Sequence, residues 1–403
     1  MTAPIKAHVP AKRLAGFYFW YFAAIGALIP YLGLYLQYRG LSASQIGTAL
    51  GVMSSTRIFA PYFWGALADN SGRRMRVIRS TLAGALLCFG ALVLRDGFVW
   101  IAACLFAYGM LVNGTMAQFE VVTFGHIMRA EHRYARLRVW GSIGFVVVVL
   151  GLGPVLERLG IRSLPGWIVG MFLVTLLTGL RIPEPLGGPH RAPALAGLLS
   201  VVRQPAVVAL FIACFLAQVS YGPYYSFFSI YLEDHGYNKT AIGFLWSLGV
   251  TAEVLMFWFI PRLMPNLPLR KLLLWSLAAT AARWVLQVLA VDHPVALAGV
   301  QLIHAISFGV YHLAAVNLVQ QLFPRALQGR GQAIYVGVSY GLGGALSYWL
   351  TGYFWERIAV DWIWIGGSVA AALAWFVAWR GVKEPGYRAP DLVQPLAVAD
   401  TQP

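Results

Sequence analysis

The stretch Gly65-Ala66-Leu67-Ala68-Asp69-Asn70-Ser71-Gly72-Arg73-Arg74-Met75-Arg76 separates two long apolar segments. So few residues cannot build a domain; they turn the chain round at a membrane face. Gly65 and Gly72 suit tight helix ends, because glycine accepts positive φ and lets backbones approach closely. Arg73, Arg74 and Arg76 hold the turn on the cytoplasmic side by the positive-inside rule. Asp69 is the single acid among them.

Composition agrees. The 403 residues are 59% hydrophobic and 11% charged, with a mean hydropathy of +0.68, whereas soluble chains carry about 25% charged residues. An all-α integral membrane protein follows. The net charge of +15 sits in short loops between apolar runs rather than on one face, which argues for topology signals and against nucleic acid as a partner. Cys88, Cys104 and Cys214 are odd in number, lie in apolar segments and share no Cys-x-x-Cys spacing, so neither a disulfide framework nor a metal site is expected. The first apolar run is too long for a signal h-region and is read as the first span.

Twelve spans of bilayer length, about 20 residues each, are expected at 14–36, 44–66, 77–95, 99–127, 138–156, 163–181, 206–232, 240–260, 271–290, 295–322, 332–354 and 360–380. With the N-terminus inside, 22 Lys and Arg fall on the cytoplasmic face, Arg138 among them, and 6 on the opposite face. Both termini are therefore expected in the cytoplasm. The chain divides into an N-terminal six-helix bundle (1–181), a cytoplasmic linker with four prolines (182–205), a C-terminal six-helix bundle (206–380) and a Pro-containing tail (381–403) expected to be disordered.

The halves repeat. Tyr35-Leu36, Gly40 and Ile46-Gly47 recur as Tyr231-Leu232, Gly236 and Ile242-Gly243, each 196 residues on, and Gly141 matches Gly337 at the same offset. The second-half counterpart of the opening stretch, 261–271, keeps Arg262, Arg270 and Lys271 but has no acid and no glycine. Two pseudo-two-fold-related bundles are the expectation.

Charged side chains inside spans are costly and mark partners or ligands. Four are expected there: Arg57, Glu120, Glu253 and Arg283, two of each sign. Arg57 and Glu253 are 196 residues apart and hence equivalent in the repeat. Glu253 shares a face with Trp246 and Gly249, Arg283 with Gln287, and Glu120 with Asn113. The tenth span adds His304 and His312 with Gln301 and Tyr311; a histidine changes charge near neutral pH and suits proton handling. Structural ion pairs and packing histidines are the plainer alternatives. In the seventh span Pro223 should loosen the helix, and the tyrosines around it, Tyr221, Tyr224 and Tyr225, suit the wall of a pocket for a flat, partly polar ligand.

The pattern G-x-L-A-D-x-x-G-R-R over Gly65–Arg74 resembles the signature loop between the second and third helices of the major facilitator superfamily. Gly65, Asp69, Gly72, Arg73 and Arg74 would then belong to the conformational machinery rather than only fixing topology. Within that superfamily the chain resembles the phenylpropionate permease group, related to the sugar/proton symporters of the lactose permease type. Gly243–Val254 around Glu253, Arg283-Trp284, Gln301-Leu-Ile-His304, His312–Ala315 and Leu137–Ser142 carry this resemblance, as do Tyr224-Tyr225, Ile230-Tyr231 and the Arg57 position. It implies proton-gradient-driven uptake of a small aromatic carboxylate. It also implies a coupling scheme drawn from Glu120, Glu253, Arg283 and His304, since the sugar symporters place acids in the fourth and eighth spans, an arginine in the ninth and a histidine in the tenth.

The chain is thus expected to be a monomeric permease of the inner membrane, alternating access round a midplane site. A Gly-rich phosphate loop and a His-Glu-x-x-His motif are both missing from the sequence. That leaves no enzyme chemistry and no cofactor, only the proton gradient. Sugar or nucleoside symport, proton-driven drug export and a non-transporting receptor or scaffold are the rivals, in that order.

Overall fold

A computed structural model describes residues 9–127, 131–185, 197–263 and 268–383. Its helices, in chain order, are α1 (Ala11–Tyr38), α2 (43–71), α3 (Arg74–Ala91), α4 (Phe98–Ile127), α5 (Glu131–Leu159), α6 (Leu164–Leu180), α7 (Pro205–Asp234), α8 (Lys239–Leu263), α9 (Leu269–Ala290), α10 (Pro294–Leu322), α11 (328–355) and α12 (Val360–Gly381). Among the described residues, nine of them are long and apolar enough to cross a bilayer on those grounds alone. The other three have visible reasons for falling short. α3 opens with Arg74, Arg76 and Arg79. α2 breaks into Ala43–Ser55, a 3-10 turn Thr56–Ile58 and Ala60–Ser71. α11 is diluted by glycines and by polar and tyrosine residues, and contains a π-helical stretch, Gly337–Gly343.

The twelve helices form two six-helix bundles, and their internal repeat is built into local geometry. Gly40 (φ 77°) and Gly236 (φ 83°) both take the left-handed conformation that ends α1 and α7. Two residues later Ser42 and Asn238 cap the next helix, Ser42 Oγ accepting from the Gln45 amide (3.3 Å) and Asn238 Oδ1 from that of Ala241 (2.9 Å). The α2/α4 and α8/α10 packings also correspond. Arg57 meets Asn113, and Glu253 packs on Gly309, which lies 196 residues after Asn113.

The bundles meet along α2/α11, α5/α8 and α1/α7, on the face opposite the chain termini. Gly47 lies against the Tyr348 carbonyl and Gly352, and its repeat partner Gly243 against the Val149 carbonyl. Only a residue without a Cβ fits either place, and small residues are what let membrane helices cross closely. Tyr31 donates to the Val149 carbonyl (3.2 Å) and reaches the Lys239 carbonyl (3.4 Å), tying α1 to both sides of that crossing. Toward the termini, Ala60–Ser71 packs on α3 and α4 of its own bundle instead, and Tyr62, Phe63 and Leu67 are exposed.

Two expectations are modified. α5 begins at Glu131, so Arg138 lies two turns inside a helix rather than at its start, and is a fifth charge in the spans; the seven residues 131–137 read as loop from their charges, Glu131, Arg133 and Arg136. Of the linker 182–205, Ile182 is buried and held by Arg79 (2.7 Å to its carbonyl), Glu184 accepts from the Met75 amide (2.8 Å), and Leu198–Val202 is a short helix; residues 186–196 lie outside the described residues. So do residues 384–403 of the tail and 264–267 of the 261–271 loop.

Candidate functional site

The break in α7 comes first, because it positions the aromatic wall. Gly222-Pro223 restarts the helix one residue after Tyr221, since proline lacks the N–H that a continuous helix needs. The restart swings Tyr224 and Tyr225 toward α8–α10. Tyr221 stands edge-on to Trp284, ring centroids 5.0 Å apart.

Behind that wall lies a chain of polar groups. The Arg283 guanidinium is fully buried, 4.4 Å from the centre of the Tyr224 ring and 4.8 Å from that of Trp284. Its Nη2 donates to Gln301 Oε1 (2.9 Å), and Gln301 Nε2 donates on to Gln287 Oε1 (2.9 Å). Its Nη1 lies 2.8 Å from His304 Nδ1. Arginine has no acceptor, so Nδ1 must accept, and the imidazole proton stands on Nε2. That nitrogen is 3.5 Å from Glu253 Oε2. Glu253, His304, Arg283 and Gln301 are therefore in one line, with His304 between the acid and the arginine. Glu253 is the accessible end, its side chain 18% exposed against 3% for His304. Gly249 and Gly309 make room for His304 and Glu253 respectively.

His312 extends the line. The rings of His304, Phe308 and His312 stack along α10 with centroids 5.2 and 5.9 Å apart. The π-helical stretch Ala305–Val310 underlies this register, a feature that recurs at functional sites. His312 Nδ1 is 3.1 Å from the Tyr340 hydroxyl. The Tyr340 carbonyl, in the π-helical part of α11, accepts from Ser54 Oγ of the opposite bundle (2.9 Å).

Arg57 is elsewhere. It sits on the 3-10 turn of α2, its Nε 3.5 Å from Asn113 Oδ1, while Asn113 Nδ2 donates to Thr56 Oγ1 (2.8 Å). With Tyr225, Phe308, Tyr340 and Tyr348 it lines a cavity of about 230 Å³ between the bundles. Arg283 does not line this cavity. Glu120 is apart again: Tyr134 donates to it (3.2 Å) and Arg138 Nε lies 3.8 Å away. Tyr134 and Arg138 are one turn apart on α5, and that spacing was the signal available in the sequence.

The opening stretch forms a clamp at the termini face. Asp69 pairs with Arg74, whose other nitrogen donates to Gln118 of α4. Gly72 ends α2 at φ 63°, Gly65 leaves space for Gln118, and Arg73 is exposed. Sequence reasoning did not single out Phe308, Tyr340, Tyr348, Gln218 or Tyr108. Tyr108 was within reach, since the repeat offset carries it onto His304.

The model of the MFS_1 like family matches residues 11–365. The chain belongs to that family. It is a multi-pass inner-membrane transporter of the major facilitator superfamily and not an enzyme. It is 26% identical over 369 residues to the probable 3-phenylpropionic acid transporter of Escherichia coli (strain K12), covering 89% of this chain and 95% of that one. The maltose permease of Geobacillus stearothermophilus is 26% identical over 367 residues, covering 88% and 90%. The crystal structure of the nucleoside transporter NupG superposes with a TM-score of 0.81 at 16% identity, over 93% of this chain and 99% of that one.

Proposed function

We propose that this transporter imports a small aromatic carboxylate, of the phenylpropionate kind, together with protons. The observation that carries this reading is the fixed line Glu253–His304–Arg283, which ends on a partly exposed acid beside an aromatic-walled cavity. Glu253 takes up the proton there. His304 offers it an N–H and fixes its orientation, and Arg283 keeps that tautomer in place. The cavity is smaller than the roughly 300–1,000 Å³ of pockets for drug-sized ligands, which favours one ring with a short chain over a disaccharide. The relative named for 3-phenylpropionic acid supports the same class.

Both termini are assigned to the cytoplasm on the loop charges. The bundles 1–181 and 206–380 then rock about the cavity in a monomer. On that assignment the α2/α11 and α5/α8 crossings, closed on the far face, lie on the side away from the cytoplasm.

Uptake into proteoliposomes tests the reading. Under an imposed inward proton gradient, labelled 3-phenylpropionate should accumulate above its equilibrium level, and a protonophore should abolish the accumulation. Accumulation of maltose or a nucleoside instead would move the protein to another substrate class. Outward movement under the same gradient would make it an exporter, and no movement of any solute would favour a receptor or scaffold.

A further inference from the structure

The five charges assigned to the membrane interior, Arg57, Glu120, Arg138, Glu253 and Arg283, do not cancel. Arg138 has Glu120 and Arg283 is joined to Glu253 through His304, which leaves Arg57. Among the described residues no carboxylate lies within ion-pair distance of it, and its hydrogen bond to Asn113 uses Nε. A cation held between two membrane-embedded bundles without a counter-charge is costly, yet here it faces the cavity. No acid lines that cavity.

A second, independent observation points the same way. Two more polar groups lining the cavity are buried donors without partners, the Tyr108 hydroxyl and Gln218 Nε2; these side chains are 1% and 4% exposed. Orphaned buried polar groups are rare and call for an explanation. Tyr108 comes from α4, next to the helix turn that carries Asn113, and Gln218 comes from α7 of the other bundle. One cation and two unpaired donors make a wall that wants an acceptor-rich anion.

We infer that Arg57 binds the carboxylate of the substrate, with Asn113 as its positioning residue and Gln218 closing on the same group from the opposite bundle. Arg283 does not contact substrate. With Nε turned to Asn113, the two Nη nitrogens, beside the Tyr348 hydroxyl, take both carboxylate oxygens end-on. The aromatic ring then rests on Tyr225 and Phe308, and Phe308 stacks directly on His304. The substrate thus touches Arg57 in one bundle and, through Phe308, the proton-bearing line in the other. This inference rests on the carboxylate reading given above and names the residue that reads the charge.

The test compares 3-phenylpropionate with its neutral amide, 3-phenylpropanamide, for binding to detergent-purified protein by thermal stabilisation and isothermal titration. Wild type should bind the acid at least tenfold tighter than the amide. Arg57→Gln should abolish that preference by lowering acid affinity at least tenfold more than amide affinity, and residual amide binding doubles as the check that the variant is folded. Arg57→Lys, for use if Arg57→Gln does not fold, should keep only part of the preference, because lysine retains the charge but not the paired donors. Asn113→Leu should lower acid affinity alone. Wild type that binds the acid, with Arg57→Gln or Arg57→Lys showing the full wild-type preference, overturns the inference and leaves the proposed function standing. Wild type that binds neither compound overturns both.

Discussion

Arg57 and Glu253 occupy the same position in the two bundles, 196 residues apart, and they meet different neighbours. Arg57 bonds Asn113, whereas Glu253 packs on Gly309, the repeat partner of Asn113, and faces His304, the repeat partner of Tyr108. Equivalent helix pairs form a cation site beside the cavity in the first bundle and an acid–histidine site in the second. The two do not neutralise each other, because each is held by its own α2/α4 or α8/α10 partner. On the proposed function, this division of labour separates recognition of an anion from handling of a proton.

The clamp at the termini face gives the first prediction. Asp69 joins α2 to Arg74 at the start of α3, and Arg74 also bonds Gln118 in α4. The pair is partly exposed, with side chains 34% and 16% accessible, so it contributes about 1 kcal/mol or less to folding. Asp69→Asn should therefore insert and bind substrate normally. Transport should slow by roughly three- to tenfold, the factor that about 1 kcal/mol imposes on a conformational step. Initial uptake rates at matched surface expression measure this. Unchanged rates would return the loop to a topological role.

Much of the fold was legible in the sequence, for reasons that can be named. Span lengths follow from bilayer thickness, and the helix ends agree with the apolar boundaries except where charges continue into a helix, as at Arg138. The repeat was legible because Gly40 and Gly236 take a positive φ, and Gly47 and Gly243 sit where a Cβ has no room. The site was legible only as a set. Glu253, Arg283, His304 and Gln301 come together as their spans suggested, but the order in which they connect depends on rotamers and on the π-helical turn of α10. Phe308, Tyr340 and Tyr348 were hidden because aromatic residues in a membrane helix read equally as lipid-facing. Only the crossing of α11 over α2 turns Tyr340 and Tyr348 toward Arg57.

Arg283 carries the second prediction. Its two hydrogen bonds and its position over Tyr224 and Trp284 need a planar fork. Arg283→Lys can make one of the two bonds and leaves Gln301 or His304 short of a donor, while Arg283→Met leaves both. Each hydrogen bond from the charged guanidinium contributes about 1.5–3 kcal/mol. The melting temperature in detergent should fall for both variants, more for methionine. Proton-driven accumulation should be lost in both, and acid-over-amide selectivity should survive. Loss of that selectivity would put Arg283 in contact with substrate.

A third prediction concerns closure on the face opposite the termini. A side chain at Gly47 would meet the Tyr348 carbonyl and lie 2.8 Å from Gly352 Cα. Gly47→Val should hold α2 and α11 apart and raise labelling of Ser54→Cys by a membrane-impermeant thiol reagent added from that face. Ser54 is otherwise 2% exposed. Gly170→Val, where a Cβ meets nothing within 4 Å, is the control. Equal labelling in the two backgrounds would mean that this crossing is not the closing contact.

The fourth prediction is that Glu253 is the proton-coupling acid. Arg283 donates to His304 Nδ1, so the imidazole is committed as an acceptor on that side, and its remaining N–H points at Glu253. The group free to change its proton count without dismantling the line is therefore the carboxylate, which is also the member that solvent reaches. Glu120 has less claim, because Tyr134 and Arg138 hold it away from the His304 line. Glu253→Gln keeps the size and can still accept from His304 Nε2, but it cannot titrate. The variant should bind 3-phenylpropionate within about threefold of wild type, since no ligand contact is removed and such a change is under 1 kcal/mol. It should also exchange labelled for unlabelled substrate across the membrane, because exchange needs no net proton movement. Accumulation driven by a pH gradient should vanish. Accumulation with the wild-type pH dependence would transfer the role to Glu120 or to the His304–His312 pair. Loss of exchange along with accumulation would instead make Glu253 a structural partner of His304, whose removal stops the bundles from rocking at all.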